Sequence, residues 1–274
     1  MELKERIIKT VFARGQIALF YLGQEGFLLK YENRYILIDA YLSDYVDRFC
    51  GTDKISWKRN YAPPISGKEL DFADIIICTH AHADHADPIT IKEILGVNQK
   101  AKFIVSKSFT GLMEDYGVPP ERIIPAAADE SFEFCGIKFT PVPAAHESLN
   151  MDSDGNYAEL GYIIELGGIR VFHAGDCCVY DGLAERIAGV DIALLPINGR
   201  DYFRLENDII GNMDSREAVL LAKTAGAGLL VPMHFDLYRQ NGASAAHFTD
   251  CVYEFGGAQP FHIFMPGERY IYEK

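Results

Sequence analysis

The sequence predicts an α/β chain folded as a single domain over residues 1–274, with two strand-rich layers at its centre. Three observations carry that expectation. Apolar runs of strand length recur between turn residues. Strands alternate with helical stretches through much of the chain. No linker-like segment separates the two roughly similar halves.

In order along the chain, Ile17 to Leu22 is a short apolar run. Phe27 to Tyr31 and Tyr35 to Ile38 flank Glu32-Asn33-Arg34, a hairpin signal, and the second strand ends at Asp39. Residues 41–70 show no clear period and carry Trp57, Pro63 and Pro64, which predicts a long loop with at most one short helix; loops of that length in compact domains tend to be functional. Asp74 to Thr79 is a continuous apolar run, the pattern of a strand buried on both faces. Asp87-Pro88 reads as an N-cap followed by a first-turn proline, opening a helix to about Leu95. A strand follows at Lys102 to Ser106 and a helix near Phe109 to Tyr116. Cys135-Gly136 sits between Phe132 to Phe134 and Ile137 to Pro141, and Gly167-Gly168 between Leu160 to Leu166 and Ile169 to His173, so two more hairpins are expected. Ile192 to Pro196 and Leu229 to Val231 predict strands, Ser215 to Ala225 a helix capped by Asp214, and Ser244 to Phe255 another helix. Two short strands should close the chain.

Hydrophobic residues make up 49% and charged residues 24%, so a packed core is attainable and wholesale disorder is excluded. Lys plus Arg number 26 against 39 Asp plus Glu, a net charge of −13, which disfavours general nucleic-acid binding. No apolar run reaches the roughly 18 residues a membrane span needs. The opening Met1-Glu2-Leu3-Lys4-Glu5-Arg6 mixes charges and lacks the apolar segment of a signal peptide, so a cytoplasmic location is expected. The six cysteines form no C-x-x-C pair, which predicts buried thiols rather than a disulfide framework. A small anionic molecule is the expected partner. Self-association stays open, since no helix shows an obvious stripe for it.

The chemistry concentrates in Thr79-His80-Ala81-His82-Ala83-Asp84-His85-Ala86-Asp87. The chain has only eight histidines, and His80, His82 and His85 crowd into this one loop. Neutral imidazoles with carboxylates suit Zn, Mn or Fe. A loop leaving a buried strand can turn such side chains into one cavity, which a regular strand cannot, because its alternate residues face opposite ways. The plainer alternative is a solvated His-rich turn. Against it, His146 follows Phe139 to Val142, Asp176 follows Val171 to His173 across a Gly175 turn, and His234 follows Leu229 to Met233. Each caps an apolar run, and four such loops at one sheet edge predict a metal site. Cys177 adjoins Asp176, but in extended backbone its side chain points away from its neighbour's.

A polar stretch with Asn198, Arg200, Asp201, Arg204 and Asn207 follows a strand between two of these loops. Arginine suits a bidentate clamp on phosphate or carboxylate; a solvated loop with an Arg–Asp surface pair is the equal alternative. Lys54, Lys58 and Arg59 near Trp57 either line the mouth of a cleft or form a solvated run.

These segments resemble the metallo-β-lactamase superfamily. Asp39 matches that family's early strand-end Asp. His80, His82, Asp84 and His85 match its signature loop, and His146, Asp176 and His234 match its three later ligands. The resemblance implies a four-layer αββα sandwich with its site at one edge of two sheets. It also implies two divalent ions (Zn, Mn or Fe), one held by His80, His82 and His146, the other by Asp84, His85 and His234, with Asp176 bridging. Asp84 would orient the nucleophile or pass on its proton, and Asp39 would hold ligands from behind. His173 and Asp236 would do the same, or be a satisfied core histidine and an ordinary loop carboxylate. A narrower likeness is to the L-ascorbate-6-phosphate lactonase (UlaG-like) branch, through Tyr21-Leu22-Gly23-Gln24-Glu25-Gly26, Ile38-Asp39, the signature loop, His173-Ala174-Gly175-Asp176 and Val231-Pro232-Met233-His234-Phe235-Asp236.

The resemblance implies a metal-dependent hydrolase that turns a metal-bound hydroxide on a small anionic ester or lactone, a sugar-phosphate lactone among them. Asn198, Arg200 and Asp201 would bind that substrate. A phosphodiesterase or nuclease on the same scaffold and a non-catalytic metal-binding module are the alternatives. A β-lactamase proper is not expected without an export signal, nor a flavin-coupled form without a second domain.

Overall fold

Two mixed sheets form, one from each half of the chain. The computed structural model describes residues 2–274. The first half supplies β1 (Gln16–Gly23), β2 (Gly26–Tyr31), β3 (Arg34–Ile38), β4 (Ile75–Ile77), β5 (Lys102–Ser106) and β6 (Ile123–Ala126). The second supplies β7 (Phe132–Phe134), β8 (Ile137–Pro143), β9 (Leu160–Leu166), β10 (Ile169–His173), β11 (Ile192–Pro196) and β12 (Leu229–Met233). The last strand, β13 (Arg269–Glu273), returns to the first sheet, whose order is β13-β1-β2-β3-β4-β5-β6; the second runs β12-β11-β10-β9-β8-β7.

The period-two pattern of β1 separates two cores. Ile17, Leu19 and Tyr21 pack with the second sheet, whereas Ala18, Phe20 and Leu22 pack outward. The outward layer meets Leu3 and Ile7 of the helix Leu3–Lys9 and Ile91 and Ile94 of the helix Pro88–Val97. Beyond the second sheet, Val219 and Ala222 of the helix Ser215–Ala225 and Phe248 of the helix Ala245–Cys251 complete the packing. The result is the layered α/β sandwich the resemblance implies. No helix among the described residues is long and apolar enough to cross a membrane.

Helix ends follow local chemistry. Asp87 accepts from the Ile89 amide ahead of Pro88, and Asp214 and Glu217 form a reciprocal capping box. Lys30, buried on β2, donates to the carbonyls of Ile7, Ile8 and Thr10 at the C-terminal end of the helix Leu3–Lys9. That helix was not expected, and neither was β6. Of the two closing strands expected, one forms. Phe261 makes only an isolated bridge to Leu230, because Pro260 and Pro266 bracket the segment and cannot donate to a ladder. The helix expected over Ser244 to Phe255 widens after Cys251 into a π-turn over Val252–Gly256. All six cysteines are free, four of them buried.

Strand direction fixes where the polar loops emerge. β3 and β4 are parallel, as are β10, β11 and β12. β1 reaches the direction of β3, and β8 that of β10, through two antiparallel pairings each. The segments after β1, β3, β4, β8, β10, β11 and β12 therefore leave at C-terminal strand ends, where open α/β sheets place their ligands.

Candidate metal centre

Three non-glycine residues at these strand ends adopt the left-handed conformation: Gln24 (φ 59°), Asp39 (φ 45°) and His234 (φ 54°). Such residues are uncommon and cluster at functional sites, because a left-handed turn at a strand end swings the side chain to the sheet edge. Gly175 (φ +60°) makes the same turn ahead of Asp176, and a Cβ there would fall 2.8 Å from Thr79 Cβ. Gly175→Ala should cost on the order of 1–3 kcal/mol, read by urea denaturation.

The turns bring His80, His82, His146 and Asp176 together as one group and Asp84, His85 and His234 as another, with the ligand atoms of each group within 4.8 Å of one another. Asp176 sits between them. Its Oδ2 lies 3.8 Å from His80 Nε2, 3.5 Å from His85 Nε2 and 3.4 Å from His146 Nε2, and its Oδ1 is 3.4 Å from His234 Nε2. Asp84 Oδ2 approaches His85 Nε2 at 3.7 Å and His234 Nε2 at 3.6 Å. His82 Nδ1 faces His146 Nε2 at 3.3 Å.

Whether these groups fit cations is decided by their spare nitrogens. His80 Nε2 and His85 Nε2 are buried, aimed into the cluster, and have no hydrogen-bond partner. A buried imidazole nitrogen without a partner is costly, and a cation would supply the missing contact. The opposite nitrogens are held: His85 Nδ1 lies 2.8 Å from Asp39 Oδ2, and His80 Nδ1 3.1 Å from Thr79 Oγ1. Asp39, fully buried, also accepts from the Thr79 amide at 2.8 Å and its hydroxyl at 2.7 Å.

The electrostatics sort the imidazoles into two kinds. Burial holds His80 well below the ordinary imidazole value, and its histidine neighbours push the same way; burial also lowers His146. Burial would lower His85 and His234 too, but Asp176 and Asp84 outweigh it and raise both. Burial alone would raise Asp176, yet His234, His85 and His146 keep it well below the usual carboxylate range.

Of the supporting residues, His173 lies outside the two ligand groups, its ring beside the buried Glu25 and Asp39 carboxylates. Its Nε2 donates to the Glu25 carbonyl at 2.8 Å and its Nδ1 accepts from the Gly175 amide at 3.2 Å, so it fixes the two turns that carry Glu25 and Asp176. Asp236 binds the Tyr21 and Tyr61 hydroxyls at 2.9 and 2.7 Å. Those tyrosines in turn contact the Gln24 backbone, at its carbonyl and its amide respectively. The Cys177 thiol accepts from the Ala145 amide and is absent from the ligand groups; burial pushes it up to about 12.

Three residues escaped sequence reasoning. Gln24 Nε2 lies 3.0 Å from both Asp84 Oδ2 and His234 Nε2. Asn212 Nδ2 donates to Asp176 Oδ1 at 2.7 Å. Glu25 is fully buried with both carboxyl oxygens unpartnered, and burial together with Asp176's charge drives it well above the carboxyl range. The first and third lie in the turn between β1 and β2, a segment that carries the UlaG-like likeness but gives neither residue a role.

The residues expected to bind substrate are placed elsewhere. Arg200 is clamped by Glu217 at 2.8 and 2.6 Å, and Asp201 caps the short helix Tyr202–Leu205. Asn198 is buried, accepting from Asn212 and donating to Asn241. None of the three lines the cavity over the cluster. The physical reason is local: each finds a closer partner in its own loop or in the helix Ser215–Ala225. Arg200→Ala should therefore change stability by less than about 1 kcal/mol and leave KM for a negatively charged substrate unchanged.

A family described as "Beta-lactamase superfamily domain" matches residues 34–235. A UPF0173 metal-dependent hydrolase of Thermococcus onnurineus is 31% identical over 262 residues, 90% of this chain and 96% of the relative. A UPF0173 metal-dependent hydrolase of Methanoculleus marisnigri is 34% identical over 178 residues, 61% of this chain and 70% of the relative. Among solved structures, Igni18, a metallo hydrolase from Ignicoccus hospitalis, is similar at TM-score 0.68 and 24% identity, covering 94% of this chain and 99% of its own. A possible metal-dependent hydrolase from Veillonella parvula gives TM-score 0.75 at 18% identity, with the same coverage of 94% and 99%. At these identities the structural likeness speaks for the fold.

Proposed function

This chain belongs to the metallo-β-lactamase superfamily, and on that footing we propose that it is a metal-dependent hydrolase of a carboxylic ester or lactone. The observation that carries the proposal is the pair of ligand groups sharing Asp176, with buried imidazole nitrogens left open toward the space between them. His80, His82 and His146 would hold one divalent ion, Asp84, His85 and His234 a second, with Asp176 between. Ions in those positions would lower the pKa of a water molecule towards neutrality and polarise the substrate carbonyl.

The chain's own residues do the rest. Asp84 is the carboxylate of the set with the most access, its side chain 20% exposed against 5% for Asp176. Gln24 fixes it from behind, which suits it to orient the attacking water and receive its proton. Asp39, through His85 and through Thr79 to His80, keeps one imidazole of each group in its rotamer.

The UlaG-like likeness favours a lactone. The sugar-phosphate version of that reading loses its support, since Arg200 is engaged by Glu217 and no lysine or arginine among the described residues lines the cavity. The same lack weighs against a phosphodiester substrate. A cavity of about 320 Å³ open over the cluster weighs against a purely structural metal site. The test is a panel of esters, lactones, thioesters and phosphodiesters presented to Zn-, Mn- and Fe-loaded protein. Ester or lactone turnover that a chelator abolishes is the expected result. Turnover of phosphodiesters alone, or of nothing, overturns the proposal.

A further inference from the structure

From the walls of the cleft we infer that the substrate's bulky portion is uncharged and apolar, a medium-length alkyl or aryl group beside the scissile carbonyl. This inference rests on the hydrolase reading for its chemistry, but not for its account of the ligand.

The cavity floor is the cluster itself, through His82, Asp84, His146, Asp176 and His234. Its walls come from three segments that meet above that floor. Val46, Ile55 and Trp57 enter from the long loop after β3, and Ile209, Ile210 and Tyr238 from the loops after β11 and β12. The aromatic side chains offer ring surface rather than polar ends. The Tyr238 hydroxyl is taken by Asp47 at 2.6 Å and Tyr41 at 2.9 Å, and the Trp57 indole nitrogen donates to the Cys50 carbonyl at 2.9 Å.

Three cations near the cleft are engaged elsewhere, and neither Lys58 nor Arg239 lines the cavity. Arg204 gives its guanidinium to Asp201, the Asn241 side chain and the Gly242 carbonyl. Arg59 donates to the Ser43 carbonyl and stacks on the Tyr41 ring at 4.9 Å. Lys54 reaches the Glu206 carbonyl at 3.5 Å. The cavity lining adds a further carboxylate, Asp208. An anionic substituent placed among these walls would exchange its hydration for no cation, only the neutral Thr52, Asn207 and Asn241 side chains, and would face like charge at Asp208. An alkyl or aryl group would gain by leaving water.

The experiment compares p-nitrophenyl acetate, butyrate and hexanoate with mono-p-nitrophenyl adipate, which resembles the hexanoate but carries a distal carboxylate, on metal-loaded protein. kcat/KM should rise at least about tenfold from acetate to hexanoate and fall at least about tenfold from hexanoate to adipate. Trp57→Ala should pull the hexanoate-to-acetate ratio towards one, and Trp57→Phe should restore it. Trp57 is the only tryptophan in the chain, so its emission reports on the cleft without turnover. The uncharged, non-hydrolysable 2-octanone should alter that emission saturably, at concentrations at least about tenfold below those of 2-butanone. A flat chain-length series, an adipate as fast as the hexanoate, or no preference between the ketones overturns the inference. If the ketones behave as stated while no ester or lactone is hydrolysed, the hydrolase reading falls and the account of the ligand stands.

Discussion

Asp176→Ala is expected to lose bound metal and hydrolysis together. Its carboxylate reaches both ligand groups: its oxygens lie 3.4–3.8 Å from His80, His85, His146 and His234. Without it, five imidazoles would face the cations with only Asp84 to balance their charge, and the two ions would lose their common ligand. Metal assistance of this kind contributes several kcal/mol of transition-state stabilisation, so kcat should fall on the order of 10³-fold. The metal content of the dialysed variant should fall below that of His82→Ala, which removes a ligand from one group alone. Asp176→Asn keeps the shape, and the hydrogen bond from Asn212 Nδ2 can pass to its amide oxygen. It should fold as the parent does and still lose both properties, which separates a charge effect from a collapse of the turn. A variant retaining the parent's metal and rate would remove Asp176 from the centre of the account.

Asp39→Ala should be nearly as severe, by a different route. Its carboxylate satisfies the Thr79 amide, the Thr79 hydroxyl and His85 Nδ1 at 2.7–2.8 Å in a fully buried position. Alanine strands all three, a loss of about 3 kcal/mol or more of folding stability. It also frees the rings of His80 and His85, and loss of such orienting partners typically weakens metal affinity by about 10–100-fold. Denaturation with and without added metal separates the two effects. The metal-free protein should be destabilised by Asp39→Ala, and the stabilisation gained on adding metal should shrink as well. Asp39→Asn, which keeps one acceptor, should recover most of the stability and less of the affinity. If Asp39→Ala matches the parent in both conditions, Asp39 is not what orders the imidazoles.

Much of this arrangement was legible in the sequence because it rests on local signals. Apolar runs bounded by Asn, Gly and Pro place β2, β3 and β8 to β12, and a capping Asp with a proline places the helix Pro88–Val97. The polar residues that converge are those directly after apolar runs, since a strand's end is where a side chain can leave the sheet for its edge. The helix Leu3–Lys9 was not legible, because what fixes its end is Lys30, distant in sequence, donating to its last carbonyls. The segment holding Gln24 and Glu25 was singled out, but their roles were not, because residues between two strands carry no sign of what lies across from them, here Asp84 and His234. Arg200 misled because a cation's partner is set by tertiary packing, here Glu217 on the helix Ser215–Ala225. The apolar cleft was equally hidden: its lining is drawn from residues 46–57, 207–210 and 238–241, which adjoin only after the two sheets close.

Elemental analysis of dialysed protein is the most direct test of the central claim that two imidazole–carboxylate groups share Asp176 around a pair of divalent ions. Protein equilibrated with limiting zinc or manganese should retain two ions per chain, Asp176→Ala fewer than one, and the parent's melting temperature should rise with occupancy. A folded parent that holds no ion after dialysis against excess metal, with an unchanged melting temperature, would contradict it.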